Sequence, residues 1–357
     1  MTLHGAFPAL FGAETSFDDD DLGFTAVIST SGDGITLSVR GRDGDVYRTV
    51  SMDFNLVSGG SGVFDYALAS KGGIKMVGRS AILGANSPSE ANVLSAATTG
   101  NKTFTLTGNA CIEGDVYSPN AAASAQLSGN ISIGGEPRSS EAILDHIHIG
   151  IEDQEFPEID PRVFEPFATT VVNAGTPTSS GTFTNIRIAA GANPTFSGDV
   201  TIYGVVFVEQ PNKVKFTGTT TITGVIVTQD AGDNTYNTNT IKFAGQTTAQ
   251  GVEQLPDKPQ YTALKELGGS FLPGPGFGVE FAGGFHVISG TMAADDFKFT
   301  GDAGGTVHGS VICYGSAELN LSGNSTLTYD RSGSPETPSG FVIPLVLAAV
   351  SSTYMEH

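Results

Sequence analysis

The sequence predicts an all-β protein: a right-handed parallel β-helix with a small N-terminal antiparallel β meander and a C-terminal cap or flank segment. Three observations lead there. A glycine-centred motif returns about every twenty residues. Glycine is abundant, 47 of 357 residues, while only 15% of residues are charged. Two glycine turns near the N-terminus and one apolar run near the C-terminus fall outside the repeat.

Residues 1–57 are the meander. Phe24–Thr30, Gly34–Arg40 and Asp45–Asn55 read as strands, separated by the turns Ser31-Gly32-Asp33-Gly34 and Gly41-Arg42-Asp43-Gly44. The acidic run from Asp18 to Asp21 reads as a solvated loop, with calcium binding as the lesser alternative.

Residues 58–335 carry the repeat, which fixes the fold class. Aligned on one glycine, the copies are centred on Gly108, Gly129, Gly198, Gly218, Gly245, Gly301 and Gly323. Two residues earlier stand Leu106, Leu127, Phe196, Phe216, Phe243, Phe299 and Leu321, the expected inward stack. A small polar residue often precedes the glycine, and an apolar one often follows four later, as at Ile112, Ile133, Ile202 and Ile222. Alternation along a strand sends one set of side chains inward and the other outward. Glycine lets the chain turn the corner, and stacked coils bond to their neighbours above and below. The hairpins of a β-sandwich would not return the same turn at this spacing.

Two excursions interrupt the coil, near 136–180 and 255–278. Pro157, Pro161 and Pro166 with clustered acids suggest a long loop along the coil's side. Tyr261 to Leu267 suggests a short helix, and Pro273-Gly274-Pro275-Gly276 a return to the coil. Residues 336–357 leave the pattern; Val342, Ile343, Leu345, Val346 and Leu347 are expected to cap the coil or pack on its flank.

Composition limits function. The formal charge of −20 disfavours nucleic acid and anionic membrane as partners. The longest apolar stretch, Phe341 to Val350, is too short to span a bilayer and contains Pro344, so no membrane contact is expected of the chain. No signal peptide is visible at the N-terminus, so any export or anchor segment is expected to be absent from this chain. Cys111 and Cys313 read as core residues, with a disulfide left open.

Candidate chemistry is sparse. Asp145-His146-Ile147-His148 places two histidines on one side of a strand, a weak metal-site pattern that competes with a simple polar edge. Pectin-cleaving β-helices group carboxylates across neighbouring coils. Here the position after the repeat glycine holds Asn109, Asn130, Asp199, Thr219, Gln246, Asp302 and Asn324, and neither Asp is followed by an acid one coil on. Trp is absent, which disfavours aromatic sugar subsites. No catalytic residue and no cofactor is expected. The run Thr219-Thr220-Thr221-Ile222-Thr223 is similar to the flat Thr rows of ice-binding β-helices, but the sequence suggests no continuation in neighbouring coils.

The segment Gly34 to Met52, with Ser38-Val39-Arg40-Gly41-Arg42 and Tyr47-Arg48-Thr49-Val50, resembles a segment of type IV pilus assembly proteins of the minor-pilin class. Ile188 to Gly198, Pro211 to Gly218 and Pro273 to Phe277 resemble β-helical passenger regions attached to such proteins, and more loosely the bactofilin coil. The resemblance implies an exported, non-catalytic structural or adhesive module at the cell envelope or cell surface. Its implied partners are pilus or secretion-system subunits, or surface glycans. A carbohydrate-active β-helix or glycan-binding adhesin, and a bactofilin-like filament former, are the alternatives.

Overall fold

The computed structural model describes residues 14–18, 22–31, 34–58, 62–98, 102–232, 235–343 and 345–357. The chain divides into two units, Met1–Gly60 with Ile343–His357, and Ser61–Val342.

The first unit is an antiparallel sheet of five strands, in the order Glu14–Asp18, Leu22–Ser31, Gly34–Asp43, Val46–Ser58 and Leu345–Glu356. Gly44, with φ +56°, makes the tight turn after Asp43 that residues with a Cβ resist. Asp19 to Asp21 lie outside the described residues, and with them most of the proposed acidic loop. The C-terminal apolar run is corrected here. It was expected on the coil, as a cap or flank; Val342 does stay with the coil unit, opposite Glu158, but from Leu345 on the run is the fifth strand of this sheet, with Ala348 opposite Asn55 and Ala349 opposite Phe54. Strand pairing is the stronger claim on such a run, because it satisfies backbone groups along one edge that a loose flank contact would leave to water.

The second unit is a parallel β-helix. Its strands pair parallel from coil to coil. One face is built from Thr195–Phe196, Lys213–Phe216, Thr240–Phe243, the end of Ser270–Phe281, Thr291–Phe299, Leu319–Gly323, Ile74–Gly78, Lys102–Gly108 and Ser124–Gly129, in that spatial order. That order is not the chain order. The chain enters mid-coil at Ile74–Gly78 and winds to one end at Ser124–Gly129. It then crosses to the other end, re-enters at Thr170–Val172 and winds back to Leu319–Gly323. The last coil then bonds to the first, with Leu321 opposite Met76 and Gly323 opposite Gly78. The chain therefore enters and leaves the coil at one seam.

The inward row of this face runs unbroken across that seam: Phe196, Phe216, Phe243, Phe281, Phe299, Leu321, Met76, Leu106 and Leu127. The five phenylalanines are fully buried and stack nearly face on. Their ring centroids are 5.0, 5.0, 4.6 and 5.3 Å apart, with interplanar angles of 12° or less. Burying each ring contributes about 1.5–3 kcal/mol, and ring pairing a further ~0.5–1.5 kcal/mol per pair. Leu127, at the end of the row, is only half-buried. The corner glycines follow from stacking itself: a Cβ on Gly218 would lie 2.0 Å from the carbonyl oxygen of Gly198 in the next coil. Gly108 adds a φ of +95°.

A second face corrects the reading of the threonine run. Thr182, Thr201, Thr221 and Thr248 stand in register on four successive coils. After a register shift between Thr247 and Ala249, the outward row resumes through Val287, Thr306 and Thr328. Insertions hide its continuation in the sequence: Thr182, Thr201 and Thr221 follow at even spacing, but the two coils after Thr221 are each longer than those before it.

The long excursion packs Phe164 and Ala168 on the outer side of Val205, Phe207, Val225 and Val227. Val252, just ahead of the second excursion, and Leu255, Tyr261 and Leu264 within it complete this outer core, with a single helical turn at Thr262–Lys265. Glu158–Ile159 pairs antiparallel with Phe341–Val342. Both cysteines are free, Cys313 buried and Cys111 half-buried.

Candidate functional site

One polar cluster is built by coil stacking. Val116–Ser118 pairs with Ile147–Ile149, setting Tyr117 opposite His148. Their rings stack at 4.5 Å, and Tyr66 meets Tyr117 edge on at 5.3 Å. His146 closes the 3-10 turn Glu141–His146. Both histidines donate to one carboxylate, Nδ1 of His146 to Asp115 Oδ1 at 2.7 Å and Nε2 of His148 to Asp115 Oδ2 at 2.9 Å. The Tyr117 hydroxyl donates to Asp115 Oδ2 at 3.4 Å.

The carboxylate that unites the pair is thus Asp115, not Asp145, which is exposed. The sequence signal was present but distant: Asp115 follows the second glycine of its repeat copy, one coil away from the histidines. Burial pushes the Asp115 carboxyl up. The hydrogen bonds from His148 and His146 outweigh that and hold it below the ordinary carboxylate value. The two imidazole nitrogens sit at hydrogen-bonding distance from the carboxylate oxygens, so each group is spent on the other. Among the described residues no three His, Cys, Asp or Glu side chains converge on a point that a metal ion could occupy.

The residues after the repeat glycines are also occupied with each other. Asn130 Nδ2 donates to Asn109 Oδ1 at 3.1 Å, and Asn324 Nδ2 to Asp302 Oδ1 at 3.0 Å. These are rungs between coils. A cavity of about 130 Å³ is lined by Glu253, Ser289, His308 and Ser332 among others. There His308 Nδ1 lies 3.4 Å from Asp330 Oδ2, while the Ser332 hydroxyl donates to Asp330 rather than to the imidazole. That is not the nucleophile–base–orienter chain that acyl transfer needs.

Large upward shifts fall on buried phenols and a thiol. Burial, with help from Tyr117 and Asp65, pushes Tyr66 up to about 12. Burial, with Asp296 beside it, pushes the Cys313 thiol up to about 12. Such shifts make these groups poorer nucleophiles and bases near neutrality. Each predicted stack residue lies in the inward row, and that row adds Phe281 and Met76, which the sequence reading missed. Phe281-Ala282-Gly283 fits the motif, but it lies at the edge of an excursion.

No family model matches the chain, and no curated protein matches it. Among solved structures it is similar to the competence-associated pilin ComZ from Thermus thermophilus, at 13% identity and a TM-score of 0.35, over 97% of this chain and 87% of that one. No helix among the described residues is long and apolar enough to cross a membrane.

Proposed function

We propose that this chain is a non-catalytic structural or adhesive module of the cell envelope, associated with a pilus or secretion system and displayed at the surface. The observation that carries the reading is the seam. A coil that enters and leaves at one place is a rigid body held by two neighbouring points of attachment, suited to carrying surfaces outward. The polar groups support the same reading, because they bond from coil to coil rather than converge on a substrate. The pilus association comes from the resemblance of Gly34 to Met52.

Immunogold labelling of intact cells of the source organism, using antibody to the coil, tests the placement. Labelled surfaces are expected; label only after lysis would overturn it. Incubation with a panel of acidic polysaccharides tests the non-catalytic part, and release of reducing ends or unsaturated products would overturn that. The in-register threonine row favours one second reading, a surface that orders water or ice. Inhibition of ice recrystallisation, abolished by Thr221→Tyr, would support it.

A further inference from the structure

The two ends of the coil are finished differently. At one end, the outermost strand of the phenylalanine face, Thr195–Phe196, is two residues long and covered. The Thr178 hydroxyl donates to the Thr195 carbonyl at 2.8 Å, and the Ser197 N–H donates to the Thr178 carbonyl at 3.2 Å. At the other end, Ile143 plugs the interior, and Glu136–Pro137 closes the second face by pairing antiparallel with Ser132–Ile133. The phenylalanine face is left with Ser124–Gly129 as its last strand. From Ala125 to Gly129, one edge bonds to Phe104–Gly108, and among the described residues no strand pairs with the other.

Natural edge strands are usually short, charged, broken by proline or covered, because an open edge invites another strand. Ser124–Gly129 has six residues, no charge and no proline. Its inward residue Leu127 is half-buried where every predecessor in the row is fully buried. At the C-terminal end of this edge lies a cavity of about 400 Å³, lined by Gly129, Asn130, Ile131, Ser132, Pro137, Arg138 and Ser139. Arg138 is the only charged residue in that lining, on a chain of net charge −20. Its guanidinium forms no ion pair among the described residues.

We propose that this edge is an acceptor site for the extended C-terminus of a partner protein. The segment adds as a parallel strand beside Ser124–Gly129, places an apolar residue over Leu127, and delivers its terminal carboxylate to Arg138. Direction follows from the coil: a strand running as its neighbours do ends level with Gly129, at the mouth of the cavity. Main-chain bonds supply affinity, and the apolar residue and carboxylate supply specificity. A second copy of this chain is the poorer occupant. Head-to-tail stacking would need the far end, which Thr178 covers, and the two chains repel through their like charge.

The test uses the whole protein and four fluorescent peptides. One carries the sequence Lys102–Gly108, which already pairs with this strand, as a free acid. The second is its C-terminal amide. The last two are N-methylated so that each blocks one strand edge. Anisotropy should show saturable binding of the free acid. Binding should be at least about tenfold weaker for the amide, and likewise for the free acid on Arg138→Gln, the scale of one charge-assisted hydrogen bond. Only one N-methylated peptide should lose binding. Three results would overturn the proposal: no binding of the free acid, equal affinity for acid and amide on both proteins, or sedimentation showing a dimer that loses its association in Ser128→Pro.

Discussion

The two units are both sheets, yet they are stabilised differently. In the antiparallel sheet, neighbouring strands are mostly neighbours in sequence, and Ile35 is the one fully buried hydrophobic residue among those described. In the coil, most strands rest on strands about one coil away in sequence, some twenty residues or more, and the inward row is dry from Phe196 to Leu106. Pairing alone makes a sheet. Repetition of the same residue at the same inward position makes a rod. The comparison teaches that the coil's stability resides in its stack, whereas the sheet's is spread along its hydrogen-bond ladders.

The largest expected effect tests that directly. Phe243→Ala removes the middle ring of the stack and should destabilise the coil by about 3–5 kcal/mol, read as a shift of its urea midpoint. Val46→Ala, at a sheet position 63% exposed, should stay within about 0.5 kcal/mol. Equal losses would break the comparison.

The glycines sharpen it next. Gly218→Ala drives a methyl group against a backbone carbonyl and should cost about 1–3 kcal/mol. Gly41→Ala meets nothing within 4 Å and should be nearly neutral or slightly stabilising. Thermal melts of the two variants measure the difference.

Asp115→Asn comes third. It removes the charge that accepts from both histidines and should cost about 1–2 kcal/mol near neutral pH. Because the folded carboxyl is held below its ordinary value, its contribution is fully present above the unfolded value of about 3.9. It is lost as pH falls through the depressed folded value. The gap between wild type and variant should therefore narrow below about pH 4. A gap that widens there would contradict the assignment.

The smallest effect belongs to the sheet surface. Arg48 and Glu356 pair across two strands but remain largely exposed, so Arg48→Ala should change stability by less than about 0.5 kcal/mol, and less still in high salt.

The parts of the fold that were legible are those where one coil's physics is written into one stretch of chain. Phe216-Thr217-Gly218 states an inward ring and a corner, and Phe196 and Phe243 repeat it at readable spacing. What was not legible is order. Nothing local in Leu321-Ser322-Gly323 says that its neighbour is Met76-Val77-Gly78, because the repeat is satisfied equally by any coil placed above it. The threonine row beyond Thr221 was hidden for a related reason: register survives insertions of unequal length in the structure but not in an alignment by spacing. The histidine pair was visible by its spacing of two, although His146 closes a 3-10 turn and only His148 lies on the strand. Its acid was not, since Asp145 is adjacent in sequence and Asp115 adjacent in space. The C-terminal run was legible as apolar, but its partner strand lies almost three hundred residues away.

The seam is the claim on which the proposed role depends, and crosslinking tests it most directly. Val77 and Ser322 lie opposite each other across it, on neighbouring parallel strands. That spacing, about 4.8 Å, lies within the range a disulfide spans. With Cys111 and Cys313 replaced by serine, Val77→Cys with Ser322→Cys should oxidise to an intramolecular disulfide, while Val77→Cys with Thr217→Cys should not. Free thiols in the first pair of the folded, oxidised protein would contradict a coil whose first and last turns abut.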